Sequence, residues 1–584
     1  MNKYTIFSLF LVLSLLSGNA TTSTKREVRA VWLTTIGGLD WPHNYASGMD
    51  GVERQKKELC SLLDRYRDAG INTVLLQTRI RGTVIYPSLI EPWDGCLSGT
   101  PGKSPGYDAL SFAIDECHER GMELHAWVVT IPVGKWKAYG CSSLHKKQPK
   151  LIRKIGDEGY MDPENKATAD YLERICQEIT ENYDIDGIHL DYIRYPETWK
   201  LKISRQEGRD NITNIVRQIS TRVKSIKPWV KMSCSPVGKH DDLSLYSSKG
   251  WNAYTKVCQD AKGWLKEGLM DQIYPMMYFR GDNFYPFALD WAEGSNGRMV
   301  VPGLGIYFLS PKEGNWNIDD VTREMYVCRD YGMGHAYFRG KFLTDNTQGI
   351  YDFASWFDRH PALVPAMTWE KDTPPDAPTG LCNDGQTLSW TPADDMDVTY
   401  NIYAGTACPV DTDDPRNLVV TRLNRCHATI DGRGRHYAIT AMDRYGNESK
   451  PLQETMPEGT EPIVSGLLTC NGTLLEMPHA EQGCETDVIA ITSIYGNIVT
   501  TKKYAKYVNI SELPCGLYTA RTLNSRGMSH RIGIFMVVRL NKHLKFRMSS
   551  TFWKLRSYRE LSLPLVAGKL KEPNVSSPER VFDY

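Results

Sequence analysis

Residues 186–196 read DGIHLDYIRYP. In an extended run, side chains two apart share a face, so Gly187, His189 and Asp191 point one way and Ile188 and Leu190 the other. Amphipathic helical patterns flank the run, Ala167 to Tyr183 before it and Asn211 to Lys227 after it, and the same unit recurs along the chain. Short β-rich runs predict strands at Val28–Thr35, Thr73–Thr78, Glu123–Thr130, Gly187–Tyr192, Lys231–Ser235, Gln272–Tyr278, Met299–Gly305 and His335–Arg339. Further helical patterns cover Glu53–Ala69, Ala109–Arg120, Asp319–Tyr331 and Ile350–Arg359. Eight strands alternating with helices describe an α/β fold, a (β/α)8 TIM barrel over residues 27–365, enlarged by long loops after strands two, three and four. A doubly wound open sheet would advertise a Gly-rich phosphate turn after its first strand, and none is present.

Function in such a barrel collects at the C-terminal ends of the strands. Asp191 ends strand four there, whereas Asp186 opens it and belongs to the bottom turn. Burying an unpaired charge is costly. His189 and Asp191 therefore either serve a site or merely satisfy neighbouring donors such as Arg79 or Arg194. The other strands end as QTRIRG, ELHAW, QIYPMMYF and AYFRG. Alternation places Gln77 with Arg79, His125 with Trp127, and Tyr274 with Met276 and Tyr278. Taken singly, each reads as a core residue. Together, a concave mouth lined by Arg, His, Tyr, Trp and Asp from separate strands suits a polar, ring-shaped ligand. Glycoside hydrolysis needs two carboxyl groups across the scissile bond. Asp191 is the candidate for the first. Asp282 after strand six, Glu197 just beyond strand four and Glu91 in the loop after strand two are candidates for the second, though each alone reads more simply as a solvated charge. Asp271 begins strand six, at the wrong end.

The chain has 584 residues, enough for three or four domains at about 100–200 residues each. Its 41% hydrophobic and 24% charged residues exclude wholesale disorder and rod-like folds. Sixty-nine basic residues balance sixty-nine acidic ones, so the excess that drives phosphate-backbone binding is missing and nucleic acid is not expected as a partner. The 15 Trp and 31 Tyr supply flat faces suited to sugar rings. At the N-terminus, Lys3, the apolar run Ile6 to Leu16, and Gly18 and Ala20 predict a signal peptide over residues 1–20, cleaved near Ala20. That run falls short of the ~20 residues a span requires. The expectation is an exported, soluble protein, periplasmic or extracellular, with no transmembrane segment and no lipoprotein anchor. The 14 Cys show no C-x-x-C and no Cys/His cluster, so neither a metal nor a cofactor is expected. Most should pack in cores, with pairs such as Cys408 and Cys426 as candidate disulfides.

The prolines of KDTPPDAP, Lys371 to Pro378, predict a stiff linker over residues 366–378. A β-sandwich over 379–458 should follow, since HYAITAMDRYGNESKP resembles the last strands of a fibronectin type III module. A second β-domain is expected over 461–540 and a poorly ordered basic tail over 541–584. These β-domains are expected to act as interaction modules, including attachment to the cell envelope.

The stretches REVRAVWLTTIGGLDWP, NTVLLQTRIRGTVIYPSLIEPW, PGYDALSFAIDECHERGMELHAW and DGIHLDYIRYP, with DQIYPMMY further on, resemble the glycosyl hydrolase-like family 10, over about Glu27 to Phe342. That resemblance implies a barrel acting on a polysaccharide. Members from Gram-negative bacteria are linked to denuded peptidoglycan glycan strands. The positions that carry over are Trp32, Gln77, Arg79, Tyr86, His125, Trp127, His189, Asp191, Tyr195, Tyr274 and Tyr278. The chain departs from the family where strand two ends in QTRIRG rather than Gln-Val-Arg-Pro, and where AWVVTIP replaces Ala-Trp-Leu-Asn-Pro. The function expected is that of an exported glycosidase with Asp191 as nucleophile or charge stabiliser and a loop carboxylate as proton donor. Its sugar would be held by Trp32, Gln77, Arg79, His125, Trp127, His189, Tyr195, Tyr274 and Tyr278. The competing expectation is a carbohydrate-binding protein that keeps the cleft and lacks one carboxylate. A metal-dependent hydrolase lacks the ligand cluster it needs.

Overall fold

The structure is a computed structural model that describes residues 23–395, 397–430, 435–453 and, further on, 466–468, 470, 473–477, 488–493, 498–503, 505–523 and 529–537. The leader expected over residues 1–20 and the tail expected after 540 lie outside the described residues.

Eight parallel strands form the barrel: β1 Arg29–Leu33, β2 Thr73–Arg79, β3 Glu123–Val129, β4 Gly187–Asp191, β5 Lys231–Ser235, β6 Gln272–Ile273, β7 in two pieces, Met299–Val300 and Gly303–Leu304, and β8 His335–Tyr337. Neighbours pair in chain order. The first piece of β7 pairs with β6, its second piece with β8, and β8 with β1, which closes the ring. Pro302 separates the two pieces because it has no N–H for the ladder. Likewise, β6 is far shorter than the expected Gln272–Tyr278. Pro275 interrupts it, and beyond it Met276 makes single bridges to Val237 and Gly303.

Each strand is followed by a helix: α1 Met49–Asp68, α2 Ala109–Glu119, α3 Ala167–Asn182, α4 Arg205–Ile226, α5 Ala261–Lys266, α6 Tyr285–Glu293, α7 Ile318–Asp330 and α8 Ile350–Phe357. Spacing explains their seating. Helix α1 buries Val52, Gln55, Leu59, Leu63 and Tyr66, and α4 buries Ile212, Ile215, Val216, Ile219 and Val223, each a single stripe at three- and four-residue intervals. Side-chain caps fix the starts of α2 and α4, Asp108 accepting from the amides of Leu110 and Ser111, and Ser204 from that of Glu207; Asp260 and Asn317 likewise cap α5 and α7.

Strand alternation divides the core in two. Val31, Leu33, Val74, Leu76, Leu124, Ala126, Val128, Ile188 and Leu190 pack outward in the large cluster that also holds the helices' apolar stripes. Ala30, Trp32, Leu75, Trp127, Tyr274, Val301 and Ala336 fill the ring. An antiparallel insertion of Pro132–Lys135, Ile152–Ile155 and Glu158–Met161 follows β3.

A β-sandwich of three strands (Thr379–Asn383, Thr387–Thr391, His427–Thr429) and four (Leu418–Leu423, Thr399–Gly405, His436–Met442, Leu452–Gln453) belongs to the same compact unit as the barrel. It closes the end where the strands begin. Arg422 reaches in to pair with Glu123, which opens β3, and with Asp186, just before β4. Cys426 carries a free thiol, so the Cys408–Cys426 bridge is not formed, and the buried Cys96, Cys117, Cys176, Cys234 and Cys328 are free thiols packed in the barrel core. A second unit, described by itself, has a five-stranded sheet around Ile489, Ile491, Tyr518 and Phe535. Among the described residues, no helix is long and apolar enough to cross a membrane.

Candidate active site

Asp191 is the last residue of β4 and faces the inside of the ring at its C-terminal end. Three donors converge on it. The indole N–H of Trp127 on β3 reaches Oδ2 at 3.0 Å, the Ser235 hydroxyl reaches Oδ1 at 2.8 Å, and the amide of Tyr192 reaches Oδ1 at 2.8 Å. Register produces this meeting. Ser235 lies directly opposite Asp191, and Trp127 opposite His189, one inward position lower. Burial pushes the Asp191 pKa above its ordinary value, and the bonds from Ser235, Trp127 and Tyr192 and the charge of Arg194 partly offset that. Among the described residues the carboxylate makes no ion pair, and the residue keeps 6% of its surface. With two donors on Oδ1 and one on Oδ2, Oδ2 holds the free lone pair.

Around it stands an aromatic wall. Burial, with Tyr307 and Asp191 adding to it, pushes the pKa of Tyr278, past the end of β6, well above its ordinary value, so its phenol is neutral. Its ring stacks on Phe338 at 5.1 Å and meets Tyr307 edge-on at 5.7 Å. Tyr192, Tyr278, Tyr307 and Phe338 are all partly exposed. Arg194 lies against Tyr192, 4.6 Å from its ring centre, and bonds Glu197 at 2.9 Å.

Of the residues expected to bind sugar, Trp127 and Tyr278 come together with Asp191. Gln77 sits at the rim, its side-chain oxygen accepting from the amides of Thr35 and Ile36, so it shapes the loop after β1. Four others lie a layer deeper. His189 accepts from the Trp32 indole at 3.3 Å and meets the Ser233 hydroxyl at 3.0 Å, Tyr274 donates to Gln272, and His125 contacts Glu123 at 3.2 Å. Burial holds the His189 pKa well below its ordinary value, so that ring is neutral. These side chains are buried inside the barrel and present no face to a sugar. Tyr195 packs in the outer core against Trp199.

Arg79 does not share Gln77's face. A bulge lies between them: Gln77 pairs with Trp127 but Arg79 with Val128, which turns Arg79 outward. There it bonds both oxygens of Glu91 and the carbonyls of Val129 and Thr130, while the Tyr171 hydroxyl bonds Glu91 at 3.0 Å. Both members of this pair are fully buried, so Glu91 is a counter-ion with no face on the mouth. Glu197 is half-exposed and paired, and Arg194 is the leading attraction that holds its pKa down against burial. Asp282 lies exposed in the turn Gly281–Asn283 after β6, with no ion pair among the described residues. Sequence reasoning passed over Ser235, although its parity with Lys231 and Ser233 placed it on the inward face, and over Tyr307 and Phe338. Among the described residues, no three His, Cys, Asp or Glu side chains converge as a metal site.

A family model described as Glycosyl hydrolase-like 10 matches residues 27–307. The chain is 29% identical over 489 residues to the glycosyl hydrolase YngK of Bacillus subtilis (strain 168), covering 75% of this chain and 94% of that protein. It is 30% identical over 351 residues to the glycosyl hydrolase DigH of Escherichia coli (strain K12), covering 52% of this chain and 80% of that protein. A solved structure of the PgaB (BpsB) glycoside hydrolase domain from Bordetella bronchiseptica is similar at 13% identity and TM-score 0.39, over 56% of this chain and 98% of that one. With the family motifs in order along the strands and a 30% identical relative covered over four fifths of its length, the chain belongs to the glycosyl hydrolase-like 10 family.

Proposed function

We propose that this glycoside hydrolase is exported and cleaves a polysaccharide at the mouth of its barrel, with peptidoglycan glycan strands stripped of stem peptides as the substrate to test first. One observation carries the reading: a carboxylate without an ion pair among the described residues ends β4 amid an indole, a hydroxyl and partly exposed tyrosines. Asp191 Oδ2 either attacks the anomeric carbon or takes a proton from the water that does, and its negative charge stabilises the oxocarbenium-like transition state. Tyr192 and Tyr278 offer faces for the sugar ring. Asp282 is the proton donor in this reading, because Glu91 and Glu197 are held by Arg79 and Arg194.

Asp191→Asn should lower the release of reducing ends from peptide-free glycan strands by about 10²- to 10⁴-fold, with binding to the strands retained. Undiminished hydrolysis in the variant overturns the assignment. Binding by the wild type with no turnover points instead to a carbohydrate-binding protein using the same cleft.

A further inference from the structure

Just past Arg79, the chain places a second arginine in a different setting. It reverses over Ile80–Thr83, where the Ile80 amide donates to the Thr83 carbonyl at 2.9 Å and Gly82 takes a left-handed conformation, φ 69°. Arg81 stands at the corner of that turn, two residues beyond the C-terminal end of β2 and so on the side of the barrel that holds the mouth. Its stem lies on Gly134 of the insertion after β3. A Cβ built on that glycine would be 3.0 Å from the Arg81 Cδ and 3.1 Å from its Cβ. Position 134 therefore needs glycine both for this close approach and for its own φ of 89°.

The guanidinium delivered in this way is unused. Arg79 gives its donors to both oxygens of a buried glutamate and to two carbonyls, and Arg194 bonds Glu197. Arg81 is partly buried, yet among the described residues it makes no hydrogen bond, ion pair or aromatic contact. No other buried or partly buried lysine or arginine of the barrel is left so. A cation that has given up part of its water without gaining a partner costs stability, and an anion bound there recovers it.

That charge stands beside the candidate site. Thr130, four residues before Gly134, donates its amide to the Asp191 carbonyl at 2.9 Å, so at most about 14 Å of chain separates that bond from the seat of the arginine. A short run of linked sugars covers such a span. Tyr160 lies opposite Pro132 in the same insertion and Tyr192 follows Asp191, and both are partly exposed. Burial raises the pKa of each tyrosine, and the Arg81 charge is among those that draw it back, which agrees with this placing. Glu158 and Glu197, whose charges also act on Tyr160, make no ion pair with Arg81.

We propose that Arg81 is a substrate-binding residue that reads the carboxylate of an acidic sugar, held in the two-pronged grip that a planar guanidinium offers. The inference rests on the reading of the mouth as a polysaccharide site and narrows it to chains that carry carboxylates. Peptide-free glycan strands are such chains, because removal of the stem peptide frees the carboxyl of the lactyl ether. A polyuronate is the other source, with its carboxyl on the sugar ring itself.

The test is binding, followed by titration calorimetry with the full chain carrying Asp191→Asn. Its probes are peptide-free strands, a polyuronate, and each of these with its carboxyl groups reduced to alcohols. Adding Arg81→Gln should weaken binding of a carboxylated strand about 10- to 100-fold, the worth of one charge-assisted pair. Reducing the carboxyl groups should weaken binding by the same factor, and the two changes together should cost no more than either alone. Arg81→Lys should recover part of the loss, since it keeps the charge and lacks the fork. Because Arg81 makes no bond within the protein, the thermal unfolding midpoint should stay in place in both variants. The carboxylated strand that responds, lactyl ether or uronate, identifies the source. Undiminished binding in Arg81→Gln, losses that add, or carboxylated strands that do not bind at all overturn the proposal. Carboxylate-dependent binding by a wild type that cleaves nothing would instead count against the hydrolase reading alone.

Discussion

Gly187 and His125 show how closely the interior of the ring is packed. A Cβ built on Gly187 would lie 2.5 Å from His125 Nδ1 and 2.7 Å from two of that ring's carbons. The imidazole has little room to retreat, because its other nitrogen contacts Glu123, itself bonded by Lys231 and Arg422. The glycine serves here for space, since its backbone is ordinary strand. Gly187→Ala should therefore cost about 1–3 kcal/mol, read as a lowered thermal unfolding midpoint. The sequence of β4 established that Gly187, His189 and Asp191 share the inward face. It did not say which layer each occupies. His189 and Asp191 are two residues apart on one face, yet one is a neutral core group and the other a carboxylate at the rim, because only the ring's closure sets where the packed interior ends.

At the scale of elements, one extra residue in β2 reassigns two candidates. Strict alternation puts Arg79 beside Gln77 at the mouth, whereas the bulge sends it outward to Glu91 and Tyr171 of α3. Removing one member of a fully buried pair leaves the other charge stranded. Glu91→Ala should cost about 3–5 kcal/mol in unfolding free energy, with catalysis by the surviving folded protein little changed. A proton-donor role would reverse that pattern, abolishing turnover in a stable protein. Strand β6 was overestimated for a readable reason: Pro275 cannot donate to the ladder. The bulge had no comparable signal, because it depends on how β2 and β3 align.

The barrel and the sandwich share one charged floor. Glu123 is buried, which raises its pKa, but Lys231, the bond from His125 and then Arg422 outweigh this and hold it at about 2, below the ordinary 4.5. Asp186 is likewise lowered, burial being outweighed by Arg422 and His118. For carboxylates depressed in this way, the stability they contribute is present above the unfolded pKa and is lost as pH falls from about 4.5 towards about 2. Arg422→Ala should lose about 3–5 kcal/mol near pH 7, and its deficit against the wild type should narrow across that acid window, as followed by circular dichroism. The sequence by itself determined the alternation of strands and helices, the inward face of β4 and the placing of Asp191 at a strand end, because these follow from periodicities of two and 3.6 residues that local geometry imposes. Only the tertiary structure decided that Arg79 and Glu91 pair away from the mouth, that Ser235 and Trp127 bond Asp191, and that an arginine some 230 residues further along the chain completes the floor. Partners so distant in sequence are chosen by ring closure and docking, and no local pattern encodes them.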